Sequence, residues 1–547
     1  MNARWAPVAA FPIGVAASVA ATWPAATTFR THSLVPVGYA DVQAGMWWPR
    51  QVGDALLQGK NPFYAESLFW PVGQDVTRLV WNVLAELVLF PLWQLTTPLA
   101  ALNLAAFLVS GLNAAACAWG VRRLGGGAAA ALGAAVMAGG SHFAFIEMVN
   151  GRIEQALWAP VAVFLAELLS PDPRPVRAGI WLGLAAAVYW FYGYFLLLVV
   201  LAWLALRHSR AALGTVVKLG AVSALTALPF LLPVLLDVSG RATAYMGGDT
   251  LASQAIASVS ATSGLWWPLG VEPAFAAMSV PLLVLPFSAY ALIRGRGPLR
   301  GLGAVALATT ILAMGPFLAL DGGAPLGGVR LWLPQAALNV LPGMARFWWC
   351  YRWLTLAIPA AILGLAWVFR ERRVALALLA AASIGETACV LRGGAPTARL
   401  PRQGVRLPPA MGLIAALPAE APVLVLPRGD TNAIFIGWQA WFRQPVDIGL
   451  AQHLPGVIPC GIVDVMGSSE LGKTLTDPTR PVPARWTSEQ TQGFAYVLLF
   501  FRDAAPGSRQ HDAETSQLEA RLTAVLGAPM AQNAVAAWWA IPGVAPR

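Results

Sequence analysis

Charge is what this chain has least of: 11% of its 547 residues are Asp, Glu, Lys or Arg, against about 25% in an ordinary soluble domain. With 57% hydrophobic residues and a mean hydropathy of +0.62, it carries more apolar surface than water-soluble packing easily hides, and lipid is the natural solvent for much of it. Cysteine is scarce and scattered. Cys117, Cys350, Cys389 and Cys460 form no CxxC pair, which argues against a zinc site or a disulfide framework and leaves isolated packing thiols. The net charge of +10 is not gathered into a basic tract; arginines sit in short turns between apolar runs, so a nucleic-acid partner is not expected. No G-x-S-x-G elbow accompanies His453, Asp464, Ser468 and Ser469, which therefore read as a solvated loop rather than a hydrolase triad. No D-x-D or H-x-x-x-H spacing marks a divalent metal site, and no repeat relates the two halves as it often does in transporters.

What the chain does have is long apolar runs. A helix needs about 20 mostly apolar residues to span a bilayer. Runs near that length lie at 6–26, 99–121, 127–147, 155–170, 178–190, 191–207, 213–236, 274–293, 301–320, 351–369 and 374–391. The first, between Trp5 and Thr27, follows Arg4 but is long and contains Pro12 and Pro24, so it reads as a retained start helix rather than a cleaved signal. A further stretch, Leu79–Leu95, carries Glu86 and Pro91, which suit an interfacial or re-entrant helix. Parity supports leaving it out of the count. With Arg4 inside and eleven spans, Arg122 and Arg123, Arg174 and Arg177, Arg207 and Arg210, the group Arg294, Arg296 and Arg300, and the group Arg370, Arg372 and Arg373 all fall on the inner face, as the positive-inside rule asks. The expected architecture is a mainly α, polytopic transmembrane bundle of about eleven spans over residues 1–394, with a small external α/β domain over 395–547.

That C-terminal region has ordinary soluble composition. Ala421–Pro427 and Phe494–Phe501 read as short buried strands, Ala513–Leu526 as an amphipathic helix and Ala534–Ile541 as a last strand. Arg428-Gly429-Asp430 follows a strand and reads as an ordinary turn.

The first external loop, 28–78, is far longer than a usual connection and rich in aromatics, which suit a membrane interface and also stack on sugar rings. It holds Asp41, the Met46-Trp47-Trp48-Pro49 segment, Gly59-Lys-Asn-Pro-Phe63 and Phe69-Trp-Pro-Val-Gly73. Asp41, that Trp-rich helix and the G-x-N-P-F … P-x-G pattern resemble bacterial GT-C-type membrane glycosyltransferases. So do Asn103 with the run to Arg122-Arg123-Leu124, Asn150-Gly-Arg152 ahead of Trp158-Ala-Pro160, Leu341-Pro342 with Arg346 and Tyr351-Arg352, Glu386, and the strand at 421–427. The resemblance implies transfer of a sugar from a polyprenyl-phosphate-linked donor to an envelope glycan, lipid or protein acceptor. It would occur at the outer face of a bacterial inner (cytoplasmic) membrane, with the loop aspartate, Asp41 here, as the base that takes the acceptor hydroxyl's proton.

Residue chemistry adds alternatives. A carboxylate beside apolar helix ends is raised toward the range of a useful base, yet the same Asp41 also suits a helix cap. Arg152, Arg346 and Arg352 fall on the external face, where arginine either holds phosphate bidentately or snorkels at a helix end. His142 and Glu147, with Glu154 just beyond, are intramembrane ionisable groups and so substrate-site candidates, as are Trp47 and Trp48. No cofactor is expected; a divalent metal held by Asp41, His142 and Glu147 is an alternative that no ligand spacing supports. Glu386 either lines a cavity or snorkels outward. Two rival readings remain: a non-catalytic scaffold of the same fold in envelope-polymer assembly, and a lipid or solute transporter.

Overall fold

The computed structural model describes residues 5–33, 40–69, 73–76, 82–149, 151–240, 250–261, 280–341, 344, 347, 349–390, 403–404, 421–426, 469–477, 479–500, 509–532 and 536–544. The helices, in chain order, are α1 (Ala6–Ala21), α2 (Ala40–Leu57), α3 (Val83–Leu95), α4 (Pro98–Arg123), α5 (Ala128–Gly139), α6 (His142–Val149), α7 (Ile153–Ala156), α8 (Ala159–Leu169) and α9 (Pro175–Val188). They continue with α10 (Trp190–Arg207), α11 (Arg210–Gly240), α12 (Thr250–Ile256), α13 (Val284–Arg294), α14 (Pro298–Ala313), α15 (Pro334–Leu338), α16 (Leu354–Val368), α17 (Arg373–Val390), α18 (Glu470–Thr476) and α19 (Arg509–Leu526).

Among the described residues, six helical stretches are long and apolar enough to cross a membrane: Pro98–Arg123, Ala128–Met148, Trp190–Arg207, Arg210–Leu232, Cys350–Val368 and Arg373–Val390. The other runs read as spans are shorter helices. Residues 155–170, for example, contain the 11-residue α8, and 178–190 falls mostly within the 14-residue α9. Proline sets several of these starts. Pro160, Pro175 and Pro298 occupy the first turns of α8, α9 and α14, where a missing N–H costs nothing.

Two compact units divide the chain. The first comprises Met1–Phe29, Trp81–Leu89 and Leu102–Arg402; the second comprises Arg30–Val80, Phe90–Ala101 and Gln403–Arg547.

In the first unit, small residues allow close helix packing. A Cβ added to Gly139 of α5 would stand 2.5 Å from the Gly14 backbone of α1, and one on Gly14 would stand 2.3 Å from Ala114 of α4. Side-chain bonds fix the directions of the helices. Asn113 of α4 donates to the Ala156 carbonyl (2.8 Å), just before α8, and ten residues further along α4 Arg123 meets Glu167 near the end of α8 (2.7 Å). Trp367 near the end of α16 donates to the Leu124 carbonyl (3.0 Å). Helices α4, α8 and α16 therefore run in one direction and finish together.

Arginines collect at that finishing end. Arg123 and Arg177 share Glu167, at 2.7 and 3.6 Å; Arg122 donates to the Gly126 carbonyl (2.7 Å); Arg370 lies 4.2 Å over the Trp367 ring. The opposite end, where α8 and α16 begin, holds the candidate site.

In the second unit, Pro49 inside α2 removes one N–H from the helix ladder, and Trp93 donates to the Met46 carbonyl in the same turn (2.8 Å). The G-x-N-P-F pattern has a local structural reason. Gly59 takes a φ of +68°, and Asn61 accepts the Phe63 N–H at 2.9 Å as an Asx turn. A short hairpin follows, pairing β1 (Tyr64–Ala65) with β2 (Gln74–Asp75). The C-terminal sheet has the order β3 (Val423–Leu426), β4 (Tyr496–Phe500), β6 (Ala536–Ala540), β5 (Ala531–Gln532); β3 and β4 are parallel and the other pairs antiparallel. Leu522, Val525 and Leu526 of α19 bury against Leu424, Val497, Leu499 and Trp539 of this sheet. The strands at 423–426, 496–500 and 536–540 stand inside the runs read as strands; α19 begins four residues before the run read as a helix, and the strand at 531–532 lies outside those runs. The Arg428-Gly-Asp430 turn, His453, Cys460, Asp464 and Ser468 lie outside the described residues, while Ser469 caps α18 by accepting from the Gly472 N–H (2.8 Å).

Candidate functional site

The site grows from a chain reversal. Gly151, with a φ of +79°, lets the chain turn between α6 and α7, and Arg152 follows at the head of α7. Across from it, a 3-10 turn over Cys350–Trp353 leads into α16. Trp353 pins that turn by stacking on Phe195 of α10 (centroids 3.8 Å apart) and donating to Gln335 of α15 (3.0 Å). The turn thereby holds Tyr351 and Arg352 in fixed positions.

Two guanidinium groups converge there. Arg152 donates to the Tyr351 hydroxyl (2.8 Å), stands 3.6 Å from the Glu147 carboxylate and lies 5.1 Å over the Trp349 ring. Arg352 donates to the Tyr189 hydroxyl (2.5 Å) and lies 5.5 Å over the same Trp349 ring. One indole thus serves two cations. Tyr189 reaches Arg352 because it is the single extended residue (φ −155°, ψ 113°) between α9 and α10. Beside it, Tyr192 donates to the Gln155 carbonyl (2.6 Å).

Carboxylates line the other side. Glu154 accepts from the Gln155 amide (3.0 Å) and from the Asn82 amide (3.3 Å), and Asn82 also donates to Glu86 (2.7 Å). Burial, the largest influence, raises the Glu154 carboxyl above the usual range; its hydrogen bonds and then Arg352 and Arg152 oppose that rise. Glu86 is 1% exposed, and its Oε2 has no hydrogen-bond partner among the described residues.

Of the residues singled out in the sequence, the structure brings Arg152, Arg352 and Glu147 together. His142 shares α6 with Glu147 but faces elsewhere, its Nδ1 3.9 Å from Glu386, which also accepts the Leu282 N–H (3.0 Å). Arg346, Asn150 and Pro342 lie outside the described residues. Asp41 is in the first turn of α2, in the second unit, and its side chain is outside the described residues. Trp47 and Trp48, in the same helix, are buried and pack edge to face with centroids 4.8 Å apart. Asn103 donates to the Phe29 carbonyl (2.8 Å).

Sequence reading passed over Trp349, Tyr189, Gln155 and Asn82. The first two sat in view within aromatic stretches, Phe347-Trp-Trp-Cys-Tyr351 and Tyr189-Trp-Phe-Tyr192, of which the sequence reading singled out only Tyr351. Among the described residues, no group of three or more His, Cys, Asp or Glu side chains gathers to hold a metal ion. Paired guanidinium groups with phenol and indole neighbours suit an anion rich in oxygen acceptors, above all a phosphate.

The fold has solved counterparts. The archaeal oligosaccharyltransferase AglB from Archaeoglobus fulgidus, in complex with an inhibitory peptide and a dolichol-phosphate, aligns over 96% of this chain and 72% of its own at 14% identity and a TM-score of 0.51. The arabinofuranosyltransferase AftD from mycobacteria aligns over 99% of this chain at 14% identity and a TM-score of 0.50, and this chain spans 42% of it. ArnT from Cupriavidus metallidurans in the apo state aligns over 97% of both chains at 13% identity and a TM-score of 0.50. These are GT-C glycosyltransferases, and the chain has a GT-C-like fold. No protein-family profile and no curated protein sequence matches it.

Proposed function

We propose that this chain is a membrane glycosyltransferase that moves a sugar from a polyprenyl-phosphate-linked donor to an envelope glycan, lipid or protein acceptor. The observation that carries the reading is the Arg152–Arg352 pair around Trp349, set at the end of a GT-C-like unit opposite its arginine-rich end. A lipid phosphate is the chemistry such a pair fits, and AglB was solved with a dolichol-phosphate.

On this reading eleven spans cross a bacterial inner membrane with the N-terminus inside. Residues 1–394 form the membrane domain, with the loop 28–78 external, and 395–547 form an external α/β domain. The arginine-rich end faces the cytoplasm and the site faces outward. Asp41 is the base. It takes the proton from the acceptor hydroxyl as that oxygen forms its bond to the anomeric carbon, while the bond from that carbon to the phosphate oxygen breaks. The leaving phosphate gains charge in the transition state, and Arg152 and Arg352, joined by Arg346, stabilise it. Glu147 holds Arg152 beside the substrate, Trp47 and Trp48 are further substrate-facing candidates, and His142, directed at Glu386 instead, stays outside the set; no metal enters the chemistry.

The test is transfer by the purified protein in lipid nanodiscs, supplied with a panel of polyprenyl-phosphate sugars and envelope acceptors. Asp41→Asn is expected to keep donor binding and lose roughly 10²–10⁴-fold in rate, the range of a general base. Equal rates in both proteins would remove Asp41 from the role. Donor binding without transfer from any donor would favour a non-catalytic scaffold. Movement of labelled lipid across vesicles with no acceptor present would favour a transporter.

A further inference from the structure

The arginine pair is not the only buried charge at this end, and the carboxylates beside it have to be balanced in both states of the site. Glu147 is matched with Arg152 at 3.6 Å. Glu154 has an amide N–H on each oxygen, from Gln155 and Asn82, and both arginines act on it electrostatically. Asn82 spends its second N–H on Glu86. Among the described residues no cation pairs with Glu86, and its second oxygen has no partner. One side-chain amide therefore ties Glu86, which has no cation among the described residues, to Glu154, whose cationic balance comes from arginines that a phosphate would claim.

We propose that the Glu86–Asn82–Glu154 cluster is a proton-linked counter-charge to the arginine pair, with Glu154 ionised in the empty site and protonated when a phosphate monoester occupies Arg152 and Arg352. The inference rests on the phosphate reading given above. A monoester brings between one and two negative charges near neutral pH. It would also take guanidinium N–H groups, and the Nε of Arg352 is buried with no partner among the described residues. Drawing the arginines toward the ligand weakens their hold on Glu154, leaving its charge to two neutral amides in a low-dielectric setting. The balance is simple: water or buffer supplies one proton, a carboxylate becomes a carboxylic acid, and no bond to the ligand is made.

The surroundings narrow the choice of acceptor. Glu154 is faced by Arg152 from its own helix, Arg352 from the 3-10 turn, Tyr189 and Tyr192 from α10 and its lead-in, and Asn82 with Glu86 from the start of α3. Arginine stays protonated and the tyrosines are neutral near pH 7, so only carboxylates change charge. Glu147, also near the tyrosines, is the rival acceptor. Glu154 is preferred because Glu86 adds a second negative charge beside it. Burial already holds the Glu154 carboxyl high while the arginines pull it down, so removing their pull moves it further up.

The experiment is calorimetric titration of the full chain in nanodiscs with geranyl phosphate. It is run near pH 7.5 in two buffers of different ionisation enthalpy, with inorganic phosphate as a second ligand to separate a lipid-linked from a free phosphate source. Wild type is expected to take up about one proton per ligand bound, with affinity falling about tenfold per pH unit above the acceptor's titration. Glu154→Gln should bind with that uptake lost and a flatter pH profile. Infrared difference spectra of the wild type should show a new protonated-carboxyl band on binding, shifted in Glu154→Asp, so the assignment survives a poorly folded Gln variant. Binding without proton uptake overturns the inference and leaves the phosphate site standing, as does uptake that persists in Glu154→Gln but vanishes in Glu147→Gln. Failure of wild type to bind either phosphate overturns both.

Discussion

The two ends of the first unit use the same residue in opposite ways. At one end, Arg177 and Arg370 are 52% and 36% exposed at the side chain; Arg177 shares Glu167, and Arg370 meets the carbonyl and indole of Trp367. These two cations remain hydrated and lie along apolar surface with their heads in water, whereas Arg123 beside them, 13% exposed, is matched by the buried Glu167. At the other end the Arg152 side chain is 10% exposed, and its contacts are a phenol, an indole and a buried carboxylate. A guanidinium withdrawn from water that far has to be matched by designed partners or by a ligand. Arginine count says nothing about which of these a residue is; its surroundings do.

The widest separation between the ends should appear on removing Arg152. Arg152→Ala leaves Glu147 buried without its cation, a loss expected at about 3–5 kcal/mol, seen as a large drop in melting temperature of the purified protein in nanodiscs. A loss no larger than that of an exposed arginine would mean that Glu147 finds another partner or rehydrates freely.

Ligand binding comes next. Arg352→Ala removes the charge-assisted donors and should weaken geranyl phosphate binding about 100-fold, or about 2.7 kcal/mol, within the range for hydrogen bonds to charged groups when two are lost. Arg352→Lys should recover only part of it, because an ammonium cannot reproduce the planar fork or its place beside Trp349. Full recovery would reduce the site to simple charge attraction.

A pH effect separates the ends more finely. The folded Glu154 carboxyl is raised above its unfolded value, chiefly by burial. Below the unfolded pKa both states are protonated and there is no cost; as pH rises toward the folded pKa the unfolded chain ionises more readily and stability falls. Glu154→Gln should therefore be more stable than wild type near pH 7–8, with the advantage shrinking as pH falls through the carboxylate range. Thermal melts at several pH values check the sign, and an advantage that grows on acidification would refute it.

The difference between the ends was partly legible before any coordinates. Apolar runs located the helices of the bundle, and the regular placing of Arg122–Arg123, Arg177 and Arg370 after those runs singled out the hydrated end. Arg152 and Arg352 were set apart from those clusters because they fall on the opposite parity. Their convergence was not visible. It depends on Tyr351 lying 199 positions from Arg152, and on Tyr189 lying 163 positions from Arg352. Periodicity reports a helix's own face and cannot report which distant helix meets it. The Asn82–Glu154 bond spans 72 positions and begins in a stretch that looked notable only for Glu86 and Pro91. One helix break was legible locally: the runs at 178–190 and 191–207 part next to Tyr189, which separates α9 from the helix beginning at Trp190.

The smallest expected effect is the control on which the comparison depends. Arg370 stacks on Trp367 at 4.2 Å, and Trp367 in turn donates to the Leu124 carbonyl. A cation over an indole at a partly exposed site contributes about 0.5–1 kcal/mol. Arg370→Ala should lower stability by that much and leave geranyl phosphate affinity and its pH profile unchanged, since water replaces the lost contact and no buried carboxylate is stranded. A fall in affinity comparable with that of Arg352→Ala would show that the arginine-rich end is coupled to the site through α16, the one helix that carries Trp367 at its end and continues directly from the turn bearing Arg352.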